Sequence, residues 1–312
     1  MKIVPAKRIS ALCSASVLAC LCLPATALAW GPRGHQVIEV AAAELTTSPA
    51  SDFLRKNEAA LSKIANVPDN TWRDESHGVE GPYHFFQWDN YSSTPIGSSL
   101  ESYALGQVLQ RLTPDFVKEN GSAPWRSEQV YGMLVQALRA HDAVKTLQFA
   151  GILGHYVGDM SQPMHATSDY DGQSIGKHGI HHNFESALVD QLSTDELMNN
   201  ALRAGEPIRQ SLDAASGGDG DGGAFVRGQV IAEAKISYGE LQRLLDDYRS
   251  KPVDDNDLKS TFGPLMGRGA AVLSQVWDAA VRESGVTSFP NKAYNVAKPA
   301  WFPLGDQAQS NW

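Results

Sequence analysis

Apolar residues recur along this chain at the three-to-four-residue period of an α-helix, and no convincing run shows the strict alternation of a half-buried strand. Residues 37–45 form an alanine-rich amphipathic run, and residues 100–117 form another. Ser127-Glu128 opens a long periodic stretch that reaches Gly158, predicted as two helices meeting near His141-Asp142. Gln162-Pro163 ends it, because proline lacks the N–H that a continuing helix needs. Residues 181–192, 196–212, 225–248 and 258–283 complete the helical pattern. The segment 216–223 (SGGDGDGG) reads as a flexible connection. Its Asp219 and Asp221 lack the later ligands of an EF-hand loop. The tail 288–312, with Pro290, Pro299 and Pro303 among Trp301, Phe302 and Trp312, is expected to pack over the helices without regular structure. No internal repeat is present. The pattern predicts an all-α fold in one helical domain.

The first 29 residues stand apart from this pattern. Lys2, Lys7 and Arg8 precede an uncharged, mostly apolar run over 9–23, Pro24 breaks it, and Ala27-Leu28-Ala29 has the small-x-small form of a signal-peptidase site. The expectation is a signal peptide over 1–29, cleavage between Ala29 and Trp30, and a domain over 30–312 secreted or held in the periplasm. Two other readings exist. The run could be a buried N-terminal helix, or Val17-Leu18-Ala19-Cys20 could serve as a lipid-attachment box, which would leave Trp30 internal. The run is short for a membrane span, and no later stretch is apolar enough to be one.

Cleavage changes the chemistry of what remains. Cys13, Cys20 and Cys22 all lie in the leader, so the mature chain has no disulfide and must be held by its core or by metal. Loss of three basic residues takes the formal charge from −9 to −12. That balance argues against broad electrostatic adhesion to nucleic acid or anionic membrane, though not against a local site made positive by metal ions.

The histidines supply such a site. His155 and Asp159 are four residues apart on a predicted helix and share one face. His165 follows the helix stop, and His181 and Glu185 repeat the four-residue spacing. One such pair alone would read as a surface ion pair. Two pairs plus His165, set in apolar helix, point to zinc, whose preferred ligands include imidazole and carboxylate. His77, His141 and His178 lie in turns or near helix ends and read as solvent-facing or capping. His182 points about 100° away from His181 on a helix.

The run Leu153-Gly-His-Tyr-Val-Gly-Asp-Met-Ser-Gln-Pro-Met-His165 resembles the central signature of the superfamily that joins bacterial zinc-dependent phospholipases C with fungal-type single-strand zinc nucleases. Trp30-Gly-Pro-Arg-Gly-His35 is similar to the mature start of that superfamily, where the N-terminal tryptophan binds zinc through its own amine and carbonyl. The resemblance implies three zincs. Asp69, His84, His155 and Asp159 would hold the first; His165, His181 and Glu185 the second. Trp30, His35 and a bridging Asp159 would hold the third. Three carboxylates against six charges on three zincs leave the cluster positive, as a phosphodiester anion requires. Asp69 is the candidate to orient the attacking water or take its proton.

The substrate divides the resemblance. Glu185, the short gap from His165 to His181, and the absence of the nuclease Gly-Gly-Asn and Asn-Leu-His-x-x-Trp-Asp segments resemble the phospholipase branch. The spacing from Trp30 to His35, and Phe85 beside His84 where a base would stack, resemble the nucleases. Gln87 stands where the base-reading aspartate would be, Arg33 where the lipase acidic residue would be, and Asn70 in place of the lipase tyrosine. Phe85, Phe86 and Trp88 read equally as substrate contacts or core, and Arg73 as pairing near Asp74 in preference to touching phosphate. The sequence reading therefore leans to phospholipase C, with single-strand endonuclease as the alternative and a non-catalytic exported zinc-binding protein as a more distant one. It implies no stable protein partner.

Overall fold

The computed structural model describes residues 30–215, 221–250 and 255–305. Residues 1–29, on which the signal-peptide and lipid-attachment readings fall, lie outside the described residues, as do 216–220 of the connection and 306–312 of the tail. Among the described residues there is no strand, and seven helices reach eight residues or more. They are α1 (Pro32–Leu45), α2 (Glu58–Ala65), α3 (Ala123–Arg139), α4 (Ala143–Met160), α5 (Thr194–Ala215), α6 (Gly222–Ser250) and α7 (Asp255–Ser284). The all-α, single-domain expectation is what the structure shows. None of these helices is long and apolar enough to cross a membrane.

Local chemistry sets the element ends. Pro32 sits in the first turn of α1, where a missing N–H costs nothing. Between α3 and α4 the chain reverses at His141, which adopts a left-handed φ of 53°. Asp142 then caps α4 by accepting from the Lys145 amide at 3.0 Å. The expected helix over 100–117 is broken instead into a 3-10 turn (Gly97–Ser102) and two short helices, Leu105–Arg111 and Pro114–Asn120. Pro114 forces Thr113 into extended backbone, and the Thr113 hydroxyl caps the second piece. The expected helix over 181–192 is likewise three pieces: Ile180–His182, a π-helical turn Asn183–Ala187, and a 3-10 turn Val189–Gln191.

The last helix, α7, is the hub, packing on α1, α3, α4, α5 and α6. Its approach to α5 needs glycine on both sides. A Cβ on Gly267 would stand 2.4 Å from the Ala201 carbonyl, and one on Gly205 would stand 2.7 Å from the Gly267 carbonyl. Arg209 of α5 and Asp278 of α7 add a buried ion pair at 2.7 Å, and Asp278 also accepts from the Thr47 and Ser48 amides. After α7 residues 285–305 run without regular structure along the bundle, as expected of that part of the tail. Its carbonyls accept from Asn57 (to Lys292), Lys63 (to Val296), Gln148 (to Ala297) and Trp72 (to Pro299).

Candidate metal centre

Seven separate elements bring the candidate ligands together. His35 lies on α1, Asp69 on a π-helical turn (Pro68–Trp72), and His84 at the end of a 3-10 turn (Gly81–His84). His155 and Asp159 lie one turn apart on α4, and His165 lies on the 3-10 turn Pro163–Ala166 that follows the break at Gln162. His181 and Glu185 straddle the junction of a short helix with the second π-helical turn. Both π turns carry a carboxylate of the cluster, in keeping with the concentration of π-bulges at functional sites.

The side chains converge as three triads: His35–His155–Asp159, Asp69–His84–His155 and His165–His181–Glu185. Asp159 is shared. Its Oδ1 lies 3.3 Å from His35 Nε2, and its Oδ2 lies 3.2 Å from His84 Nδ1 and 3.5 Å from His155 Nε2. Asp69 Oδ1 is 3.4 Å from His84 Nδ1 and 3.9 Å from His155 Nε2. In the other triad, Glu185 Oε2 is 3.0 Å from His181 Nε2 and 3.9 Å from His165 Nε2. His165 donates Nδ1–H to the His84 carbonyl at 2.5 Å, which leaves the Nε2 lone pair facing Glu185.

Trp30 sits at the same place in the fold. It is fully buried, its indole donates to Ser161 Oγ at 2.9 Å, and its ring lies 5.9 Å from both Phe184 and Phe262. The Gly31 amide donates to the Glu185 carbonyl at 3.1 Å, tying this end of the chain to the third triad.

The donor set fits divalent zinc. Burial holds the His35, His84 and His155 imidazoles well below their usual range, and drives His165 and His181 down to about 3, so all five are neutral lone-pair donors. Burial, followed by the charge of Asp69, pushes the Asp159 carboxyl well up. Among the described residues, His35 Nε2, Asp159 Oδ1, His165 Nε2 and His181 Nε2 are buried with no hydrogen-bond partner. Buried polar atoms are ordinarily satisfied, and a cation among these would satisfy them together.

Other features surround the triads. Arg73 Nε donates to Asp69 Oδ1 at 2.7 Å, so the expected pairing near Asp74 gives way to a contact with a candidate ligand. The four-residue spacing of Asp69 and Arg73 was the available signal. Glu80, which the sequence reading passed over, lies 3.6 Å from His84 Nε2. Burial raises its carboxyl, and Arg126 partly offsets that. His77, His141, His178 and His182 are all exposed, in line with their reading as solvent-facing residues.

A cavity of about 390 Å³ opens over the cluster, lined by His84, His165 and His181 together with Arg73, Phe85, Glu119, Met164 and Tyr170. The aromatic run beside His84 therefore divides. Phe85 faces the cavity, whereas Phe86 is fully buried and stacks on Tyr91 at 4.4 Å. Trp88 lies under Lys235 at 4.5 Å. Gly121 makes room for Phe85. Its φ is 86°, and a Cβ there would stand 2.0 Å from the Phe85 carbonyl oxygen. A larger groove of about 760 Å³ runs along α1 and α2 past Arg33 and Lys63, and it contains none of the candidate ligands.

A probable serine protease of Bradyrhizobium tropiciagri is 22% identical over 354 aligned positions, covering 80% of this chain and 43% of that protein, so the chain spans less than half of that relative. The alpha toxin of Clostridium absonum shares the fold, with a TM-score of 0.52 at 13% identity over 80% of this chain and 64% of the toxin. The sequence profile of the S1/P1 nuclease family matches residues 30–191, from Trp30 past Glu185 and across more than half of the chain, and the chain belongs to that family.

Proposed function

We propose that this protein is an exported zinc phosphodiesterase that holds three zincs and cleaves single-stranded nucleic acid. The observation that carries the proposal is the convergence of five buried neutral imidazoles with Asp69, Asp159 and Glu185 under a cavity that also presents Arg73 and Phe85. Membership of a nuclease family tips the substrate from the phospholipase reading that the ligand spacing favours toward nucleic acid.

The residues divide the work. His35, Asp159 and Trp30 would hold one zinc; Asp69, His84, His155 and Asp159 a second; His165, His181 and Glu185 a third. Bound zinc supplies Lewis acidity toward a phosphoryl oxygen and lowers the pKa of a water toward neutrality. Arg73 puts a guanidinium at the cavity wall, where it attracts the phosphodiester anion. Because Arg73 engages Asp69 Oδ1, the second Asp69 oxygen is the one to orient the attacking water or accept its proton. Phe85 offers a flat face to a base, a contact that tolerates sequence because every base has a π-face. Burial of the triads excludes bulk water and strengthens each electrostatic contact.

One observation favours a phospholipid substrate as a second reading: the cavity wall beyond the ligands is largely apolar, with Pro82, Met164 and Tyr170 beside Phe85. The zinc-loaded mature protein assayed in parallel on single-stranded DNA and RNA, duplex DNA and phosphatidylcholine decides between them. Cleavage of single strands is the expected result. Hydrolysis of phosphatidylcholine alone selects the second reading. A protein that binds zinc and hydrolyses no phosphodiester would be a zinc-binding protein without turnover, and the proposal would fail.

A further inference from the structure

His84 presents its two ring nitrogens to different surroundings. Nδ1 faces Asp69, Asp159 and His155, whereas Nε2 faces the Glu80 carboxylate, Oε1 lying 3.6 Å away. Among the described residues, Nε2 makes no hydrogen bond. Glu80 is fully buried, and both of its oxygens are engaged. Oε1 accepts from the Tyr156 hydroxyl. Oε2 accepts from the Trp301 indole at 2.7 Å and lies 3.5 Å from Arg126 Nη2. Arg126 is itself fully buried; its Nε donates to the Tyr156 hydroxyl at 3.1 Å and its Nη1 to Gln129 at 2.8 Å. The Phe302 ring stands 4.3 Å from its guanidinium.

Trp301 and Phe302 belong to the irregular tail, 221 residues along the chain from Glu80 in the case of Trp301. A tail that only covered apolar surface would have no use for an indole N–H aimed at a buried carboxylate. Held through Oε2 by Trp301 and Arg126, Glu80 keeps Oε1 directed at His84. When His84 gives the Nδ1 lone pair to a metal, its ring proton must sit on Nε2, and a carboxylate there fixes the tautomer and the ring plane. We propose that Glu80 and Trp301 are positioning residues for the metal ligand His84, so that the C-terminal tail is a working part of the metal centre.

The proposal rests on His84 being a zinc ligand, and the test separates the two claims by reading metal binding directly. Wild type, Trp301→Phe, Glu80→Gln and Gln148→Ala are each titrated with zinc against a competing chelator, and their cobalt-substituted forms are compared by visible absorption. Trp301→Phe keeps the ring and removes only the N–H. Gln148→Ala removes a different tie to the same tail, the bond to the Ala297 carbonyl at 2.8 Å. Trp301→Phe is expected to weaken one zinc by at least about tenfold and to shift the cobalt bands, as loss of such an outer partner does in other metal sites. Gln148→Ala should do neither. Glu80→Gln should weaken the same zinc further. If it fails to fold with Arg126 left unpaired, Trp301→Phe alone carries the test. Wild-type affinity and an unchanged cobalt spectrum in Trp301→Phe would overturn the proposal while leaving the metal centre intact. Equal losses in Trp301→Phe and Gln148→Ala would reduce the tail to a cover and overturn it too. A wild type that binds no zinc would instead remove the metal reading itself.

Discussion

One turn of α4 sets His155 and Asp159 on the same side of the helix, and the two Asp159 oxygens face different histidines, His35 on one side and His84 with His155 on the other. Glu185 faces His181 and His165. A single neutralisation therefore has unequal consequences. Asp159→Asn should cost two zincs, leaving about one per chain, while Glu185→Gln should cost one, a difference that elemental analysis of the purified variants counts directly. A protein that keeps three zincs with Asp159→Asn and loses two with Glu185→Gln would show the assignment to be wrong. At this scale much was legible. Spacings of four residues announced His155/Asp159 and His181/Glu185, because a helix places such pairs on one face whatever surrounds it. Glu80 also stands four residues before His84, but that spacing alone does not mark it out. What gives it meaning is Trp301 and Arg126, and contacts that distant in sequence leave no periodic trace.

Because an apolar stripe over several turns is a strong local signal, the pattern places the long helices to within a few residues, except that α1 begins at Pro32, five residues before its apolar run. It does not place the short pieces. Residues 100–117 and 181–192 look continuous in pattern, yet Pro114 splits the first, and the second is bent through a π turn that brings Glu185 to His181 and His165. The α6–α7 contact holds a feature no pattern announces, the buried Glu233 with Arg268 Nε 3.7 Å away. Burial pushes the Glu233 carboxyl up to about 8, with Arg268 only partly offsetting it. Its folded pKa thus lies above the ordinary unfolded value of about 4.3. The folded state keeps a proton that the unfolded state has lost, so this residue's contribution to stability falls as pH rises from about 4.3 to about 8, then levels. Each unit of that difference corresponds to about 1.4 kcal/mol. Glu233→Gln should therefore gain melting temperature relative to wild type as the buffer goes from pH 5 to pH 8. Parallel thermal scans of zinc-loaded protein check this. A constant gap between the two curves would show that Glu233 does not titrate in that window.

At the scale of the whole molecule, the candidate ligands join α1, two π turns, two 3-10 turns, a short helix and α4, while the chain after residue 29 contains no cysteine. Metal binding to a site absent from the unfolded chain adds directly to folding stability, so strong chelation should lower the melting temperature and abolish hydrolysis together. Unchanged melting and full activity after verified zinc removal would dismiss both roles. The start of the mature chain gives the sharper test. If export ends in cleavage before Trp30, its α-amine becomes free and can serve as a ligand beside His35 and Asp159. Kept in the precursor, the same nitrogen is an amide and a poor donor, so export would double as activation. The burial of Trp30 gives this mechanical force. With the indole fixed on Ser161 and the ring between Phe184 and Phe262, residue 30 cannot slide outward to let another residue take its place. One alanine inserted before Trp30 should therefore move the free amine off the site and leave about two zincs in place of three, since the remaining ligands lie elsewhere in the chain. Activity should fall at least about tenfold if that metal contributes even ~1.4 kcal/mol to the transition state. Mass spectrometry of the exported protein should find Trp30 first. Three zincs and full activity with the extra alanine still attached, or a mature form lipidated at Cys20, would take Trp30 out of the centre and leave it to the histidines and carboxylates alone.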